Sequence, residues 1–235
     1  MRIRRLSPIK TGLLRDQVRD RIFEAIMEGR LGPGEPLREL ELAKTLHISQ
    51  ATVREALMRL EPTGLVVRVP NKETTVTRLS QQDLQERKWM RMILEPEVGV
   101  EAVSRIGSSE LEELERRLDA IDKAVSRNAY FEVAQADLAF HRFIWKAANE
   151  TAYRVLDNLA APMFAFVTIL RSSTKEDLKA HVNNHQPIFD ALKSRDPGGI
   201  RECIRQHIEN SYDEFLSTDW EYYHALAPRR TGRPV

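Results

Sequence analysis

The chain has 235 residues, 42% of them hydrophobic, which is enough to bury the core of one large domain or two domains of ordinary size. Its single cysteine, Cys203, excludes an intramolecular disulfide. The longest apolar run, residues 159–170, contains Pro162 and is shorter than the roughly 20 residues that cross a bilayer. With no stretch typical of a signal peptide, the sequence predicts a cytoplasmic protein in which this run is a buried helix.

The net charge is only +1, but the charged residues are unevenly distributed. Residues 1–78 contain 15 Lys and Arg against 10 Asp and Glu, a net charge of +5, whereas the remainder contains 21 against 25, a net charge of −4. A basic N-terminal part followed by an acidic C-terminal part predicts two domains with different partners.

Two helices are predicted at the start of the chain. Apolar residues recur every four positions in residues 14–29, which indicates a first helix with one buried face. That face consists of Leu14, Val18, Ile22 and Ile26. The segment GRLGPGEPL ends the helix, because glycine and proline at this density cannot continue it. A second helix covers about residues 38–46, and its apolar residues are Leu40, Leu42, Ala43 and Leu46.

A third helix begins after Ser49, whose hydroxyl can cap the free amides of the first turn. Its predicted core side is Val53, Ala56, Leu57 and Leu60. Its outward side is Gln50, Ala51, Thr52, Arg54, Glu55 and Arg59. The segment EPTG ends this helix, and two β-prone runs, residues 65–69 and 74–77, then predict a hairpin with a basic tip.

Three helices and a hairpin within 80 residues, with a tight turn before the third helix, are typical of a winged helix-turn-helix domain. The start of the third helix is expected to present backbone amides to a DNA phosphate while first-turn side chains reach base edges. The residues predicted to contact double-stranded DNA are Arg38, Ser49, Gln50, Thr52, Arg54, Arg59, Asn71 and Lys72. Taken alone, the third helix also fits an ordinary surface helix with solvated arginines.

Residues 12–78 resemble the DNA-binding domain of the GntR family of bacterial transcription regulators. The resemblance rests on the segment ELAKTLHISQATVREALMRLEPTGLV. Two departures change the surface expected to face DNA. Gln50 and Ala51 follow the serine where the family usually has arginine and threonine, and Glu73 replaces a glycine of the wing. The resemblance implies DNA binding by a domain of residues 1–78, but the departures leave the operator sequence open.

Residues 79–217 are predicted to form an all-helical bundle of about six segments, each 15 to 25 residues long. Breaks are expected near residues 107–108, 126–129, 150–151, 172–174 and 194–199. Pro96 and Gly99 are expected to interrupt the first helix of this bundle. The predicted fold class is therefore mainly α, a winged helix-turn-helix followed by a helical bundle, with a flexible basic tail over residues 218–235.

The positions of the histidines indicate a metal site. Asp137 and His141 lie four residues apart and therefore on the same face of a helix. His185 and His207 belong to two later helices, so one aspartate and three histidines can meet inside the bundle. Such a donor set suits a divalent ion of Zn, Ni, Mn or Fe. Spacing alone leaves two alternatives open, which are ordinary core histidines and a rival pair formed by His181 and His185.

The segments DLAFHRFIWKAANE, NNHQPIFDALKSRD and IRQHIENS resemble the signature segments of the FCD ligand-binding domain in the FadR-like branch of the GntR family. This resemblance implies a metal site without His181, whose ligands are Asp137, His141, His185 and His207. It also implies that Arg91, in RMILEP, faces a pocket for an organic-acid or sugar-acid effector. A guanidinium beside a metal with open positions suits a carboxylate. A structural ion pair with Glu95 is the alternative role for Arg91.

The sequence thus predicts a homodimeric transcription regulator, and more specifically a repressor, whose operator affinity depends on a small carboxylate bound at the metal. A dimer is expected from the resemblance and because two recognition helices must reach successive major grooves about 34 Å apart. Two alternatives remain, a metal-dependent enzyme fused to a DNA-binding domain and an architectural DNA binder with core histidines. The absence of a catalytic constellation in the sequence favours the regulator.

Overall fold

The computed structural model describes residues 12–68, 73–175, 178–181 and 185–216. The N-terminal elements are α1 (Gly12–Met27), α2 (Glu39–Leu46), α3 (Gln50–Leu60), a 3-10 turn (Glu61–Thr63), β1 (Val66–Val67) and β2 (Thr75–Val76). The C-terminal elements are α4 (Gln81–Arg105), α5 (Ser108–Ser126), α6 (Tyr130–Ala148), α7 (Glu150–Thr174), α8 (Leu178–His181), α9 (Gln186–Lys193) and α10 (Pro197–Leu216). The predicted fold class is confirmed. Asn71, Lys72 and the predicted tail over residues 218–235 lie outside the described residues.

The N-terminal helices form the predicted winged helix-turn-helix. The four predicted core residues of α3 are all buried, and β1 pairs with β2 in antiparallel register, with Val66 opposite Val76. Two details of the prediction were wrong. The first helix ends at Met27 instead of Gly29, and Leu14 and Leu40, which were expected to face the core, are 45% and 55% exposed.

The helix α4 was expected to break at Pro96 and Gly99, and this prediction was wrong because the helix continues to Arg105. Both residues are buried, and the packing of α4 against α10 outweighs their poor helix propensity. Gly99 allows a close approach between the two helices, since a Cβ atom there would lie 2.3 Å from Cδ1 of Ile204. In the described part of the bundle there are seven helices instead of six, because the short helix α8 separates α7 from α9.

The helix α7 contains the apolar run that was predicted to be buried. By length and composition alone this helix is sufficient to cross a membrane, but 67% of its most apolar stretch is buried inside the fold. Pro162 lies in its interior and cannot donate a backbone hydrogen bond to the carbonyl of Asn158, four residues earlier. Arg87 of α4 replaces the missing donor, since its Nη1 atom donates to that carbonyl at 2.8 Å.

The N-terminal helices and the bundle share a hydrophobic core. Ile22 and Ile26 of α1 belong to the same buried cluster as Leu138 and Trp145 of α6. Polar contacts extend this junction. The guanidinium of Arg142 on α6 lies 5.3 Å from the ring centre of Phe23 on α1, and its Nε atom donates to Oδ1 of Asp157 on α7 at 2.7 Å.

At the other side of the junction, the 3-10 turn that follows α3 approaches the backbone of α7. Gly64 adopts a left-handed conformation with φ of 72°. A Cβ atom at this position would lie 2.5 Å from the carbonyl oxygen of Asn158, so only glycine allows this approach. The amide of Asn158 donates to the carbonyl of Pro62 at 3.2 Å. The helix α6 therefore lies between α1 and the interior of the bundle. The helix α7 contacts the 3-10 turn that follows α3.

Candidate metal centre and DNA-reading helix

Two helices and the residue that precedes a third bring the four predicted metal ligands together. Asp137 and His141 extend from consecutive turns of α6, His207 extends from α10, and His185 precedes α9. One ligand atom from each residue lies within 4.8 Å of the others. The three imidazoles are buried, and the ring centres of His185 and His207 are 4.4 Å apart.

The closest contacts join the carboxylate to the imidazoles. Oδ1 of Asp137 lies 2.9 Å from Nε2 of His185 and 3.3 Å from Nε2 of His141. Nε2 of His141 also lies 3.1 Å from Nε2 of His207. All these nitrogens face one point inside the bundle. The side chain of His181, the alternative partner of His185, lies outside the described residues.

The electrostatics of this cluster favour a bound cation. Burial by itself would raise the pKa of Asp137, but the neighbouring His185 and the hydrogen bonds from His141 and His185 hold it well below its ordinary value. Burial would lower the pKa of His141, but its bonds to Asp137 and Glu95 raise it to about 9. Burial and the charges of the neighbouring imidazoles lower the pKa of His207. The carboxylates therefore stabilise positive charge at this point.

Glu95 forms a second layer behind the ligands. Its Oε1 atom lies 3.1 Å from Nδ1 of His141, and this buried contact orients the ring so that Nε2 faces the other ligands. Its Oε2 atom accepts from Nε of Arg91 at 2.8 Å, and both side chains are 1% exposed. The pair of Arg91 with Glu95 was predicted as an alternative from its four-residue spacing, but the contact of Glu95 with His141 joins two helices and has no sequence signal.

Arg91 also makes a second hydrogen bond, and together the two bonds orient it. Its Nη1 atom donates to the hydroxyl of Tyr212 at 2.7 Å, and its guanidinium lies 5.7 Å from the ring centre of Phe164. These bonds use Nε and Nη1 and leave Nη2 as the guanidinium nitrogen without a hydrogen bond to the described residues. Arg91 therefore is paired with Glu95 and still keeps donor capacity.

A cavity of about 50 Å³ lies beside the cluster. Its polar lining includes Arg91, Tyr130, Asp137, Thr168, Arg171, His207, Ser211 and Tyr212. Because one water molecule needs roughly 10 to 15 Å³, a cavity of this size has room for only a small group. Arg171 was not among the predicted site residues, because a single arginine late in an apolar helix carries no functional pattern.

The donor set and its size fit a divalent ion. Two nitrogen or oxygen ligands held about 2.0 to 2.1 Å from one ion lie at most about 4.2 Å apart, so shifts of about half an ångström bring the four atoms to common coordination. Three imidazoles and one carboxylate suit transition metals better than Mg²⁺ or Ca²⁺, which prefer oxygen. The cluster can therefore hold an ion and leave coordination positions toward the cavity.

The start of α3 has the exposed polar surface that was predicted. The hydroxyl of Ser49 accepts from the backbone N–H of Thr52 at 3.1 Å and contacts the Thr52 hydroxyl at 2.8 Å. Gln50 and Arg54 are exposed, and both donate to the carboxylate of Glu39 on α2. This contact was not predicted, because it joins positions 11 and 15 residues apart on different helices.

Two further arginines predicted to bind DNA are also exposed and paired with acidic residues. Arg38 immediately precedes α2 and lies 2.9 Å from Glu73, the residue that replaces the wing glycine. Arg59 lies 3.2 Å from Asp16 of α1. Exposed pairs of this kind contribute little to stability and exchange readily for other anions. A DNA phosphate can therefore displace these carboxylates.

Comparison with known proteins gives matches over both parts of the chain. Residues 14–76 match the bacterial regulatory proteins of the gntR family, and residues 88–210 match the FCD domain. A probable D-xylose utilization operon transcriptional repressor of Paenarthrobacter nicotinovorans is 32% identical over 193 residues, which are 82% of this chain and 84% of that protein. The HTH-type transcriptional repressor RspR of Escherichia coli K12 is 27% identical over 182 residues, 76% of this chain and 78% of that protein.

The fold also has close structural neighbours. The solved structure of Escherichia coli McbR/YncC superposes with a TM-score of 0.74, at 24% identity, and covers 89% of this chain and 98% of that one. A winged helix-turn-helix joined to a helical FCD domain is the arrangement of a DNA-binding transcription regulator. The chain belongs to the GntR family, with an FCD domain as its C-terminal part. Its relatives are regulators, so the alternative of a metal-dependent enzyme is not supported.

Proposed function

We propose that this regulator is a repressor whose affinity for operator DNA changes when a small carboxylic acid binds. The acid is bound by a divalent ion and by Arg91. One observation carries the proposal. Asp137 and three histidines form one cluster, and two of its members, Asp137 and His207, line a cavity that Arg91 also lines. When bound, an ion of Zn, Ni, Mn or Fe supplies open coordination positions for a carboxylate oxygen.

The cavity favours an anionic effector of small size. Glu95 and Tyr212 fix the guanidinium of Arg91, so its Nη2 atom is oriented before the effector arrives. Arg171 adds a second positive charge to the lining. Because the cavity is small, at about 50 Å³, short organic acids should bind more tightly than larger sugar acids.

The position of α6 supports coupling between the effector and DNA. This helix carries Asp137 and His141 on the side toward the cavity, and Leu138, Arg142 and Trp145 on the side toward α1. A ligand that favours one position of α6 therefore changes the position of the DNA-binding helices as well. Two geometries of the junction with different DNA affinity are sufficient for regulation.

The protein is proposed to act as a cytoplasmic homodimer on operator DNA. In each subunit the exposed start of α3 enters the major groove. Gln50 and Thr52 then face base edges, and Arg54 and the amides capped by Ser49 face phosphate. Arg38 and Arg59 supply further phosphate contacts. The exposed pairs of Arg38 and Arg59 with acidic residues support this assignment, since DNA can replace the acids.

The metal is tested on the purified protein by metal analysis and thermal unfolding. His185→Ala and Asp137→Asn should lose the metal and with it the stabilisation that a bound ion gives the folded state. His181→Ala is the matched control and should keep both. Loss of metal in His181→Ala but not in His185→Ala would show that the ligand set is wrong.

The regulatory step is tested by operator affinity. Fluorescence anisotropy with an operator obtained by selection from random duplex DNA should show a 5- to 150-fold loss of affinity upon addition of an acid that binds, which is a common range for allosteric coupling. His185→Ala should bind the operator and lack this response. An equal response in both proteins would contradict sensing at the metal centre.

A further inference from the structure

The DNA-reading surface contains a carboxylate that has no role in binding phosphate. Glu39 is the first residue of α2, and its side chain is 20% exposed. It accepts one hydrogen bond from Nε2 of Gln50 at 3.0 Å. It also accepts from Nε and Nη2 of Arg54, the latter at 2.8 Å. The carboxylate of Glu39 therefore binds the side chains of both Gln50 and Arg54, which lie one turn apart on α3.

The direction of the bond to Gln50 follows from chemistry. The hydrogen bond from Arg54 lowers the pKa of Glu39, so this side chain is an ionised carboxylate at neutral pH and can only accept. The amide of Gln50 must therefore turn its nitrogen toward Glu39. An amide nitrogen has two N–H groups, and the bond to Glu39 uses one of them. One N–H and the Oε1 acceptor are left for DNA.

This remaining pair distinguishes between purines. Adenine offers the N7 acceptor and the N6 donor in the major groove, which match one N–H and one acceptor of a glutamine. Guanine offers two acceptors, N7 and O6, and needs two donors. A glutamine with a free amide can supply two N–H groups, but Gln50 bound to Glu39 can supply only one.

We infer that Glu39 is a specificity-determining residue, which fixes the amide of Gln50 so that it reads adenine and rejects guanine. It acts through Gln50 as a positioning residue and does not touch the base. The same carboxylate occupies the edge of Arg54 formed by Nε and Nη2 and directs Nη1 away from α2. This inference rests on the proposal that Gln50 faces a base.

The test is selection of binding sites from a random duplex DNA library with the full-length protein. Gln50→Ala identifies the base pair that Gln50 reads. At that position the wild type should prefer adenine to guanine by roughly 5- to 150-fold, the range for one bidentate contact. Glu39→Ala should reduce this preference to less than about threefold, and the isosteric Glu39→Gln should do the same.

Glu41→Ala is the matched control. Glu41 carries the same charge in the same turn of α2 but pairs with Arg38. Both alanine variants should bind all DNA more tightly, because a negative charge near phosphate is removed. Only the Glu39 variants should lose the preference for adenine. In the double variant Glu39→Ala, Gln50→Ala, the increase in affinity for guanine at this position that Glu39→Ala causes should disappear.

Two results overturn the inference in different ways. An unchanged preference in both folded Glu39 variants, at a position that Gln50→Ala does alter, would show that Glu39 does not set specificity. A selected motif that Gln50→Ala leaves unchanged would show that Gln50 reads no base, which removes the contact proposed above and this inference with it.

Discussion

The hydrogen bond between Arg87 and the backbone of α7 gives a prediction that depends directly on Pro162. The Nη1 atom of Arg87 donates to the carbonyls of Asn158 and Leu159 at 2.8 and 3.2 Å. Pro162 deprives the Asn158 carbonyl of its usual helical donor. Arg87→Met keeps the apolar stem and removes the donor, and a hydrogen bond from a charged group is worth about 1.5 to 3 kcal/mol. Because Arg87 is only half-buried, we expect about 1.5 kcal/mol, or a melting temperature lower by roughly 3 to 6 °C.

The cause is isolated by a double-mutant cycle with Pro162→Ala. Alanine at position 162 restores the N–H group that bonds the Asn158 carbonyl, so Arg87→Met should cost less than about 0.5 kcal/mol in that background. Thermal unfolding followed by circular dichroism measures all four proteins in the presence of chelator. Arg116→Met, which removes an exposed arginine on α5, should leave the melting temperature nearly unchanged. A coupling energy near zero would refute the compensation of Pro162 by Arg87.

Three further predictions concern the metal centre and the junction of the two domains. Removal of the metal from wild type with a chelator should lower the melting temperature by roughly 5 to 11 °C, provided that the free ion beforehand exceeds its dissociation constant about 100-fold. An unchanged melting temperature would argue against a bound ion. Glu95→Gln should weaken metal binding roughly 10- to 100-fold in a competition titration, because it removes the carboxylate that contacts the ligand His141. An unchanged metal affinity would exclude a supporting role for Glu95. Gly64→Ala should destabilise the protein by about 1 kcal/mol or more, since its Cβ meets the Asn158 carbonyl and its backbone is left-handed; a melting temperature equal to wild type would show that the approach can relax.

The local elements of this protein could be predicted from its sequence. Periodicity placed the core residues of α3, and the serine at position 49 marked its start, because both features depend on residues within one or two turns. Asp137 and His141 were recognised as a pair for the same reason, since their spacing fixes a shared face of α6. Their grouping with His185 and His207 was one of several possibilities that spacing left open, and the resemblance to a family selected it; the structure brings all four together.

Long-range packing decided what the sequence pattern left open. Periodicity could not show that α4 continues through Pro96 and Gly99, because the helix is held by its contact with Ile204 of α10, more than 100 residues away. The contacts of Glu95 with His141 and of Glu39 with Gln50 likewise join different helices. Sequence by itself determined which elements form and which faces are apolar, since those properties depend on neighbours along the chain. Only the tertiary structure decided which side chain faces which across the helices, because that depends on how the complete core closes.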